Sequence, residues 1–456
     1  MPEKMIKKIT TCPKENLFFH ESDVQMNNIA GDTEWGIINV FDEIKYQEVW
    51  GFGGAFTESA AYNYSLLSDS DKKRFIELYF DRKKGIGYNF GRSHINSCDF
   101  SLGIYASVED GDKTLETFNL DREKKYIIPF LKDALQYCQE EIVLFASPWS
   151  PPAYMKDNNS AINGGQVLEE YKSVWAHYYA KYIKAMAAEG IKISAITVQN
   201  EPKAVQTWES CFYSPEDEAE FIDKYLINAL DEEGLSDIKV IIWDHNKECA
   251  YDRAKKILKN KRVNDRVWGV SHHWYSGDHF ECLRLIHEQL GKPMICGEIC
   301  GPITSDVNEL AEKYGIEICE NFNNFDVAFC DWNLLLDQEG GPFHNRNEET
   351  DGELFEKKDD GCYAPIIFDT EKKEMVVTPI YYYIGHFSKF VQRGAVRVAT
   401  TKFNKDIYTC AFVNPDGSKV CIVINTLDRQ ISANIRNNGG VTRNIVKPHS
   451  ITTFIF

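Results

Sequence analysis

The chain has 456 residues, of which 43% are hydrophobic and 13% aromatic, enough for one large domain and a smaller one. The formal net charge of −18 excludes nucleic acids and anionic membrane surfaces as main partners, because both are polyanions. An uncharged small molecule or oligosaccharide fits this charge, and the many aromatic residues suit stacking on sugar rings.

The amino-terminal residues carry positive charge, but no apolar run follows them, and no stretch of about eighteen apolar residues occurs in the sequence. We therefore expect a cytoplasmic protein without integral membrane association. The 13 cysteines include several in apolar, strand-like runs, such as Cys296, Cys330 and Cys421. Such positions are typical of reduced core thiols, and no metal site is expected from them.

Residues 1–47 contain short β-like runs and polar turns without helical periodicity. From residue 48 short apolar runs alternate with longer amphipathic ones. The predicted strands are 50–56, 87–95, 141–147, 195–200, 239–243, 267–275, 293–298 and 325–333. The predicted helices are 68–80, 124–139, 168–189, 215–233, 251–258, 279–290 and 307–321. This alternation predicts an α/β fold, a (β/α)8 TIM barrel over residues 48–389.

A doubly wound open sheet is the alternative fold. It would need a glycine-rich dinucleotide-binding loop, and the glycines of residues 51–54 lack both the spacing and a helix immediately behind them.

After residue 390 helical periodicity disappears. Short β runs at 408–413, 419–424, 431–435 and 450–456 are separated by turns such as NPDG at 414–417 and NNGG at 437–440. Residues 390–456 predict a small all-β sandwich. The strands of residues 1–47 are too few to close a sheet alone, so we expect them to join it, with the barrel inserted between. The charged run 348–360 predicts an exposed loop.

Polar and aromatic residues collect at the carboxyl ends of the predicted barrel strands, where the active site of such a barrel lies. They are Glu58, Arg92, Asp99, Ser147, Trp149, Asn200, Glu201, Asp244, His273, Tyr275, Glu298, Asp331, Trp332 and Asn333. Glu201 and Glu298 each follow an apolar run, so both carboxylates are expected at one mouth. Glycoside hydrolysis requires two such groups, one to protonate the leaving oxygen and one to meet the anomeric carbon. Tyr275 could donate a hydrogen bond to Glu298 and keep it ionised.

The same residues also have interpretations that involve no glycosidase activity. Each glutamate could be a solvated strand end. His272, His273, Asp244 and His245 could bind zinc, but adjacent strand residues point to opposite faces, so one histidine of each pair is expected to face away. We expect supporting histidines instead, and a structural ion pair between Arg92 and Asp99.

Motifs along almost the whole chain resemble those of glycoside hydrolase family 30, the group that includes glucosylceramidase. They are GFGGAFTESAA (51–61), SCDFS (97–101), ASPWSPP (146–152), TVQNEP (197–202), HWY (273–275), GE (297–298), DWN (331–333), GGP (340–342) and GHFSKF (385–390). The resemblance implies a retaining β-glycosidase that needs no cofactor or metal, with Glu201 as general acid/base and Glu298 as nucleophile. It also implies the residues that hold the sugar hydroxyls, which are Glu58, Trp149, Asn200, Trp332 and Asn347.

Two features depart from the family pattern. Glu58 stands where glucosylceramidase has an aspartate, which changes the fit around the 4- and 6-hydroxyls, and the loop 343–361 is longer and more acidic than expected. We expect a β-glucosidase of glucosylceramidase-like type, with β-1,6-glucanase, β-xylosidase and β-fucosidase as alternatives of the same chemistry. A metal-dependent barrel hydrolase and an inert carbohydrate-binding protein are the alternatives outside it.

Overall fold

The computed structural model describes residues 4–28, 34–138, 140–344 and 361–456. The chain begins with three strands, β1 (Lys4–Cys12), β2 (Leu17–Asn28) and β3 (Ile37–Glu48). β1 and β2 form an antiparallel hairpin around a short 3-10 turn, Pro13–Glu15. The charged loop predicted at 348–360 lies outside the described residues.

A closed barrel of eight parallel strands follows. The strands are β4 (Gly51–Ala55), β5 (Phe90–Ile95), β6 (Val143–Pro148), β7 (Ile193–Thr197), β8 (Lys239–Asn246), β9 (Val267–His273), β10 (Met294–Glu298) and β11 (Asp326–Asp331). Each strand pairs with its neighbours in chain order, and β11 closes the ring on β4. The predicted (β/α)8 barrel is confirmed.

Helices cover the outside of the barrel. They are α1 (Glu58–Leu66), α2 (Asp69–Phe80), α3 (Ile127–Tyr137), α4 (Lys172–Ala188), α5 (Pro215–Phe221), α6 (Ile227–Glu232), α7 (Ala250–Ile257), α8 (Lys261–Arg266), α9 (Phe280–Leu285) and α10 (Val307–Asn323). π-helical turns, Ile222–Leu226 and Ile286–Leu290, join α5 to α6 and extend α9. A capping box between Ser214 and Asp217 starts α5 and satisfies two free backbone amides.

The glycines of β4 allow it to lie close to β5. A Cβ atom on Gly53 would stand 1.5 Å from the carbonyl oxygen of Phe90, so only glycine fits there. All five residues of β4 are buried. This spacing brings the start of α1, with Glu58, beside the strand that carries Arg92.

A three-stranded sheet and a helix follow the barrel. They are β12 (Leu335–Asp337), β13 (Ile366–Asp369), β14 (Glu374–Val377) and α11 (Pro379–Ser388). The sequence did not predict this sheet, because its strands are only three or four residues long. Across the described ranges, no helix combines the length and the apolar character that a membrane span needs.

The remaining strands build the second domain. They are β15 (Val396–Thr400), β16 (Ile407–Val413), β17 (Lys419–Asn425), β18 (Ile431–Ser432), β19 (Asn434–Asn437), β20 (Gly440–Thr442), β21 (Ile445–Val446) and β22 (Ser450–Ile455). A closed sheet runs in the order β1-β2-β20-β19-β3-β15-β16-β17-β22, while β18 pairs with β21. The amino-terminal strands thus complete the carboxyl-terminal β domain, as expected. The exact domain limits at residues 47 and 389 stay predictions.

His386 of α11 joins the barrel to the β domain. Its ring nitrogens lie 2.9 Å from the hydroxyl of Thr11 on β1 and 2.7 Å from that of Thr453 on β22. Burial lowers the pKa of His386 to about 3. The ring is therefore neutral at pH 7, with one nitrogen as donor and the other as acceptor.

We expect H386L to lower the free energy of unfolding by about 1–3 kcal/mol, because the hydroxyl of Thr453 loses its partner and that of Thr11 keeps only the Phe19 amide, in a site closed to water. Urea denaturation followed by tryptophan fluorescence measures the change. H177L is the control, since His177 lies partly exposed on α4, and we expect a change within about 0.5 kcal/mol. Equal losses in the two variants would contradict the role given to His386.

Candidate active site

Glu201 and Glu298 lie at the same end of the barrel, as predicted. Glu298 is the last residue of β10, and Glu201 follows the carboxyl end of β7. β8 and β9 lie between these strands in the ring. The side chains that connect the two glutamates therefore come from β8 and β9, and from β5 across the barrel.

The segment after β7 is irregular, and neighbouring strands hold it. The amide of Asn200 donates to the carbonyl of Pro148 at 2.8 Å, and the amide of Glu201 donates to that of Asp244 at 2.9 Å. Glu201 has a φ of 48°, a left-handed conformation that costs about 1–2 kcal/mol in a residue with a Cβ atom. The turn brings the Glu201 carboxylate over β8 and β9.

β8 bulges at the same level. Trp243 and Asp244 have φ values of 73° and 52°, and the pairing with β9 changes register between Trp243 and His245. Glu218 holds this turn, because its carboxylate accepts from the Trp243 amide at 3.0 Å and pairs with Arg253 at 3.2 Å. Asp244 and His245 both reach the site as a result. The alternation expected for adjacent strand residues fails here.

Asp244 is the centre of a buried network. It accepts hydrogen bonds from Arg92 Nη2 at 2.8 Å and from the hydroxyls of Thr197, Ser147 and Ser271 at 2.7, 3.0 and 2.6 Å. Burial alone would raise the pKa of this carboxyl, but the charge of Arg92 and the surrounding donors hold the pKa well below its usual range. Asp244 is therefore a fixed negative charge beneath the site.

Arg92 of β5 is fully buried and connects Asp244 to Glu298. Besides the bond to Asp244, its guanidinium donates to Glu298 Oε2 at 2.6 Å and to Asn200 Oδ1 at 2.8 Å. Burial acts to lower the pKa of Arg92, yet the two carboxylates raise it above its usual value. The predicted ion pair with Asp99 is wrong, because Arg92 pairs instead with the carboxylates that end β10 and lie on β8, those of Glu298 and Asp244.

Both carboxylate oxygens of Glu298 accept hydrogen bonds, as an ionised carboxylate does. Arg92 binds Oε2, and the hydroxyl of Tyr275 donates to Oε1 at 2.9 Å, which is the hydrogen bond predicted from the sequence. Burial and the nearby Cys300 and Glu298 raise the pKa of Tyr275 well above its usual value, so the hydroxyl keeps its proton.

Glu201 has two histidine neighbours. Its Oε1 lies 3.2 Å from Nδ1 of His273 and 3.2 Å from Nδ1 of His245. Burial would raise the pKa of Glu201, but the two histidines outweigh it and hold the pKa far below its usual value. Although burial acts to lower the pKa of His273, the carboxylates of Glu298, Asp244 and Glu201 raise it to about 9. In the free site the proton of this pair therefore lies on His273, beside an ionised Glu201.

Glu201, His245 and His273 also have ligand atoms within 4.8 Å of one another, the spacing of a metal site. A histidine binds a metal only through a deprotonated nitrogen. His273 lies between two carboxylates, with Nδ1 on Glu201 and Nε2 on Asp244 at 3.2 Å. Both nitrogens thus act as donors, which favours proton transfer over metal binding for this cluster.

Trp149 and Trp332 form the aromatic wall of the mouth. Their rings stack with centres 5.1 Å apart, and the Arg92 guanidinium carbon lies 4.6 and 5.4 Å from the two centres. Each tryptophan is only 2% exposed. Their aromatic faces cover the cation, which strengthens its attraction to the carboxylates by excluding water.

Glu58 is fully buried at the start of α1. Its Oε1 lies 2.5 Å from Arg122 Nε, and its Oε2 accepts from the Leu102 amide at 2.8 Å. The carboxylate is thus held by protein groups, and its side chain is closed to solvent in the free site. Asn347, the other expected sugar ligand outside the strand ends, lies outside the described residues.

The sequence analysis missed three supporting residues: Thr197, Ser271 and Arg122. Thr197 and Ser271 carried a signal, because each is a hydroxyl residue within an otherwise apolar barrel strand. Arg122 approaches from a loop distant in sequence and has no local pattern that indicates its position. His245, which was named as a candidate supporting histidine, reaches the site through the β8 bulge.

Both domains match one known family. The TIM-barrel domain of glycosyl hydrolase family 30 matches residues 49–391. The chain belongs to glycosyl hydrolase family 30. The family 30 beta sandwich domain matches residues 394–454. The resemblance found in the motifs is confirmed, and this family 30 protein is a glycosidase.

Relatives of this family 30 chain have more than one named activity. Lysosomal acid glucosylceramidase of Mus musculus is 30% identical over 448 residues, covering 92% of this chain and 83% of that protein. The crystal structure of SrfJ from Salmonella typhimurium is 32% identical, with a TM-score of 0.93 over 99% of each chain. A solved endo-β1,6-glucanase is 27% identical, with a TM-score of 0.87 over 99% of this chain and 98% of its own.

We expect H273N to lower kcat/KM and to move its basic limb to lower pH. In the wild type the proton shared with Glu201 is lost as the pH rises through about 9, the pKa of His273. In H273N the proton must reside on Glu201 itself, and a carboxyl loses it at lower pH. The pH profile of kcat/KM with an aryl β-glucoside measures the shift.

The control for this variant is H272N. His272 faces away from the site, as strand alternation predicted, and pairs with Asp326 at 2.7 Å. H272N should lower stability and leave the basic limb in place. A basic limb at the wild-type pH in H273N would show that His273 does not hold the proton.

Proposed function

We propose that the protein is a retaining β-glycosidase that releases terminal β-D-glucose by double displacement. The main support is the presence of two differently held carboxylates at one barrel mouth. Glu298, fixed by Arg92 and Tyr275, is the nucleophile. Glu201, beside the proton on His273, is the general acid and base.

In the first step Glu298 attacks the anomeric carbon while the leaving oxygen takes a proton from Glu201. Glu201 is ionised in the free site, so this proton comes from His273 through the Nδ1–H···Oε1 hydrogen bond. Bond formation neutralises Glu298, and Glu298 is one of the charges that raise the pKa of His273. The pair therefore releases its proton more readily as the glycosyl ester forms.

In the second step water attacks the ester, and Glu201 accepts the proton of the water and returns it to His273. Glu298 regains its negative charge as the pair regains its proton. The net charge of the buried site is thus equal before and after each step. A site with so little exposure to water requires this, because an uncompensated buried charge is costly.

The proposed sugar contacts are Glu58, Trp149, Asn200, Tyr275, Trp332 and Asn347. Asn200 holds the 2-hydroxyl, since Arg92 fixes the orientation of its amide. Glu58 accepts from a 4- or 6-hydroxyl, and because its side chain is fully covered in the free site, neighbouring side chains must move to admit the sugar.

The glucosylceramidase relative, at 30% identity, supports glucose as the sugar and ceramide as one aglycone, and hence a role in sphingolipid metabolism. Endo-β-1,6-glucanase is the second candidate, because a structure of that name is 27% identical over nearly the whole chain. The cytoplasmic location expected from the sequence is part of the proposal, although the mouse relative is named as lysosomal.

We expect aryl β-glucosides to be hydrolysed faster than β-xylosides, β-fucosides or β-galactosides, with no effect of a chelator. Initial rates on this panel, with and without EDTA, test the proposal. Faster hydrolysis of the xyloside or the fucoside would leave the proposed mechanism in place and show that glucose is not the preferred sugar. Loss of activity with EDTA would favour a metal-dependent hydrolase, and sugar binding without turnover an inert binding protein.

The same assay with natural substrates distinguishes the two candidates. Cleavage of glucosylceramide in detergent supports the ceramide aglycone. Cleavage of a β-1,6-glucan at internal bonds, without cleavage of glucosylceramide, would instead support endo-β-1,6-glucanase activity.

We expect E298A and E201A to lose activity by at least about 100-fold and to respond differently to azide. Azide should attack from the face that Glu298 vacates and give an α-glucosyl azide in E298A. In E201A azide should attack the glycosyl ester and give a β-glucosyl azide. NMR of the products identifies the anomer.

E141A is the control for these two variants. Glu141 is an exposed residue paired with Lys192 at the opposite end of the barrel. Wild-type activity without an azide product is expected there. The reverse anomers in E298A and E201A would mean that the two roles are exchanged.

A further inference from the structure

Two cysteines lie next to the nucleophile. Cys300 follows Glu298 by two residues, and its sulfur lies 3.1 Å from that of Cys362. Backbone hydrogen bonds hold the two segments together, from the Ile303 amide to the Gly361 carbonyl and from the Tyr363 amide to the Gly301 carbonyl, both at 2.8 Å. The sulfurs are therefore kept in contact by the fold.

The thiol pair continues into the active site. The Cys300 sulfur lies 3.4 Å from the hydroxyl of Tyr275, which donates its single hydrogen to Glu298. The Cys300 thiol must then be the donor to Tyr275, and the Cys362 thiol the donor to Cys300. A chain of three hydrogen bonds thus runs from Cys362 to the nucleophile.

Exposure distinguishes this pair from the buried pair Cys319 and Cys410. Cys300 and Cys362 are both partly exposed. Cys319 and Cys410 also interact with each other, but both are fully buried in the core. A soluble oxidant can reach the first pair in the folded protein, whereas the second is closed to it.

We propose that Cys300 and Cys362 form a site of reversible oxidation, in which a small disulfide of the glutathione type converts them to an intramolecular disulfide and slows turnover. The oxidation itself is independent of the substrate. Its effect on turnover rests on the proposed role of Glu298.

The exchange takes place in two steps. The Cys362 sulfur attacks one sulfur of the small disulfide, forms a mixed disulfide and releases one small thiol, which takes the Cys362 proton. The Cys300 sulfur then attacks the Cys362 sulfur and releases the second small thiol with the Cys300 proton. Two electrons pass from the cysteines to the small disulfide, which is reduced to two thiols. Cys362 is the first to react because the Cys300 sulfur is held between Cys362 and the Tyr275 hydroxyl, at 3.1 and 3.4 Å.

Oxidation removes the donor to Tyr275. A disulfide bond is about 2.05 Å long, so the sulfurs approach each other by roughly 1 Å and both S–H groups are lost. Tyr275 then loses the contact that orients its hydroxyl towards Glu298. The hydrogen bond from Tyr275 to Glu298 is weakened but not abolished, so we expect kcat/KM to fall about ten-fold, which corresponds to about 1.4 kcal/mol.

The experiment treats the full chain with oxidised glutathione, blocks free thiols with an alkylating agent and identifies linked peptides by mass spectrometry. The wild type should give a Cys300–Cys362 peptide, turn over an aryl β-glucoside about ten-fold more slowly, and recover with dithiothreitol. C362S should keep its activity under the oxidant. C138S is the matched control, because Cys138 is a partly exposed thiol at the opposite end of the barrel, and should respond like the wild type.

Y275F tests whether the disulfide slows turnover through Tyr275. It should form the same disulfide, and its turnover, already reduced, should not fall further. A wild type without the linked peptide overturns the proposal whatever the substrate is. If the linked peptide forms but turnover is unchanged, or if C362S loses as much activity as the wild type under the oxidant, the disulfide does not act on the nucleophile. A linked peptide in a protein inactive on every glycoside would leave the oxidation site supported and contradict the proposed function alone.

Discussion

The buried guanidinium of Arg92 is the interaction on which the active site depends. It neutralises carboxylates from β8 and β10 in a place that water scarcely reaches. Removal of a charge from water costs several kcal/mol per ion unless an opposite charge and good hydrogen bonds offset it. Arg92 and protonated His273 together face Asp244, Glu201 and Glu298, which leaves one net negative charge. That charge suits a reaction in which positive charge develops on a sugar carbon.

Distorted backbone, rather than regular strand, gives the site its geometry. Glu201, Trp243 and Asp244 all have left-handed conformations, which cost about 1–3 kcal/mol each and persist only when the surroundings fix them. The buried pair of Glu218 and Arg253 anchors the turn in β8. The regular, apolar barrel below therefore stabilises strained backbone at the mouth, and this strained backbone fixes the positions of the charged groups.

Much of this arrangement could be predicted from the sequence, and the rest depends on contacts between distant segments. Each glutamate ends an apolar run, and the alternation of side chains along a strand correctly predicted that His272 faces away from the site. The same rule failed for His245, because the bulge is set by Glu218 of α5 and not by the residues of β8. Helix α1 was missed, since six of its nine residues are buried and no polar face marks its period. The burial of Glu58 depends on Arg122, which no local pattern indicates.

The closed sheet of the β domain contains strands from both ends of the described chain, with the barrel between them. During synthesis β1, β2 and β3 leave the ribosome before any of β15 to β22 exists. At about 5–20 residues per second they wait tens of seconds with unpaired edges, which are templates for aggregation. A nascent chain of this design thus exposes strand edges until its last strands emerge.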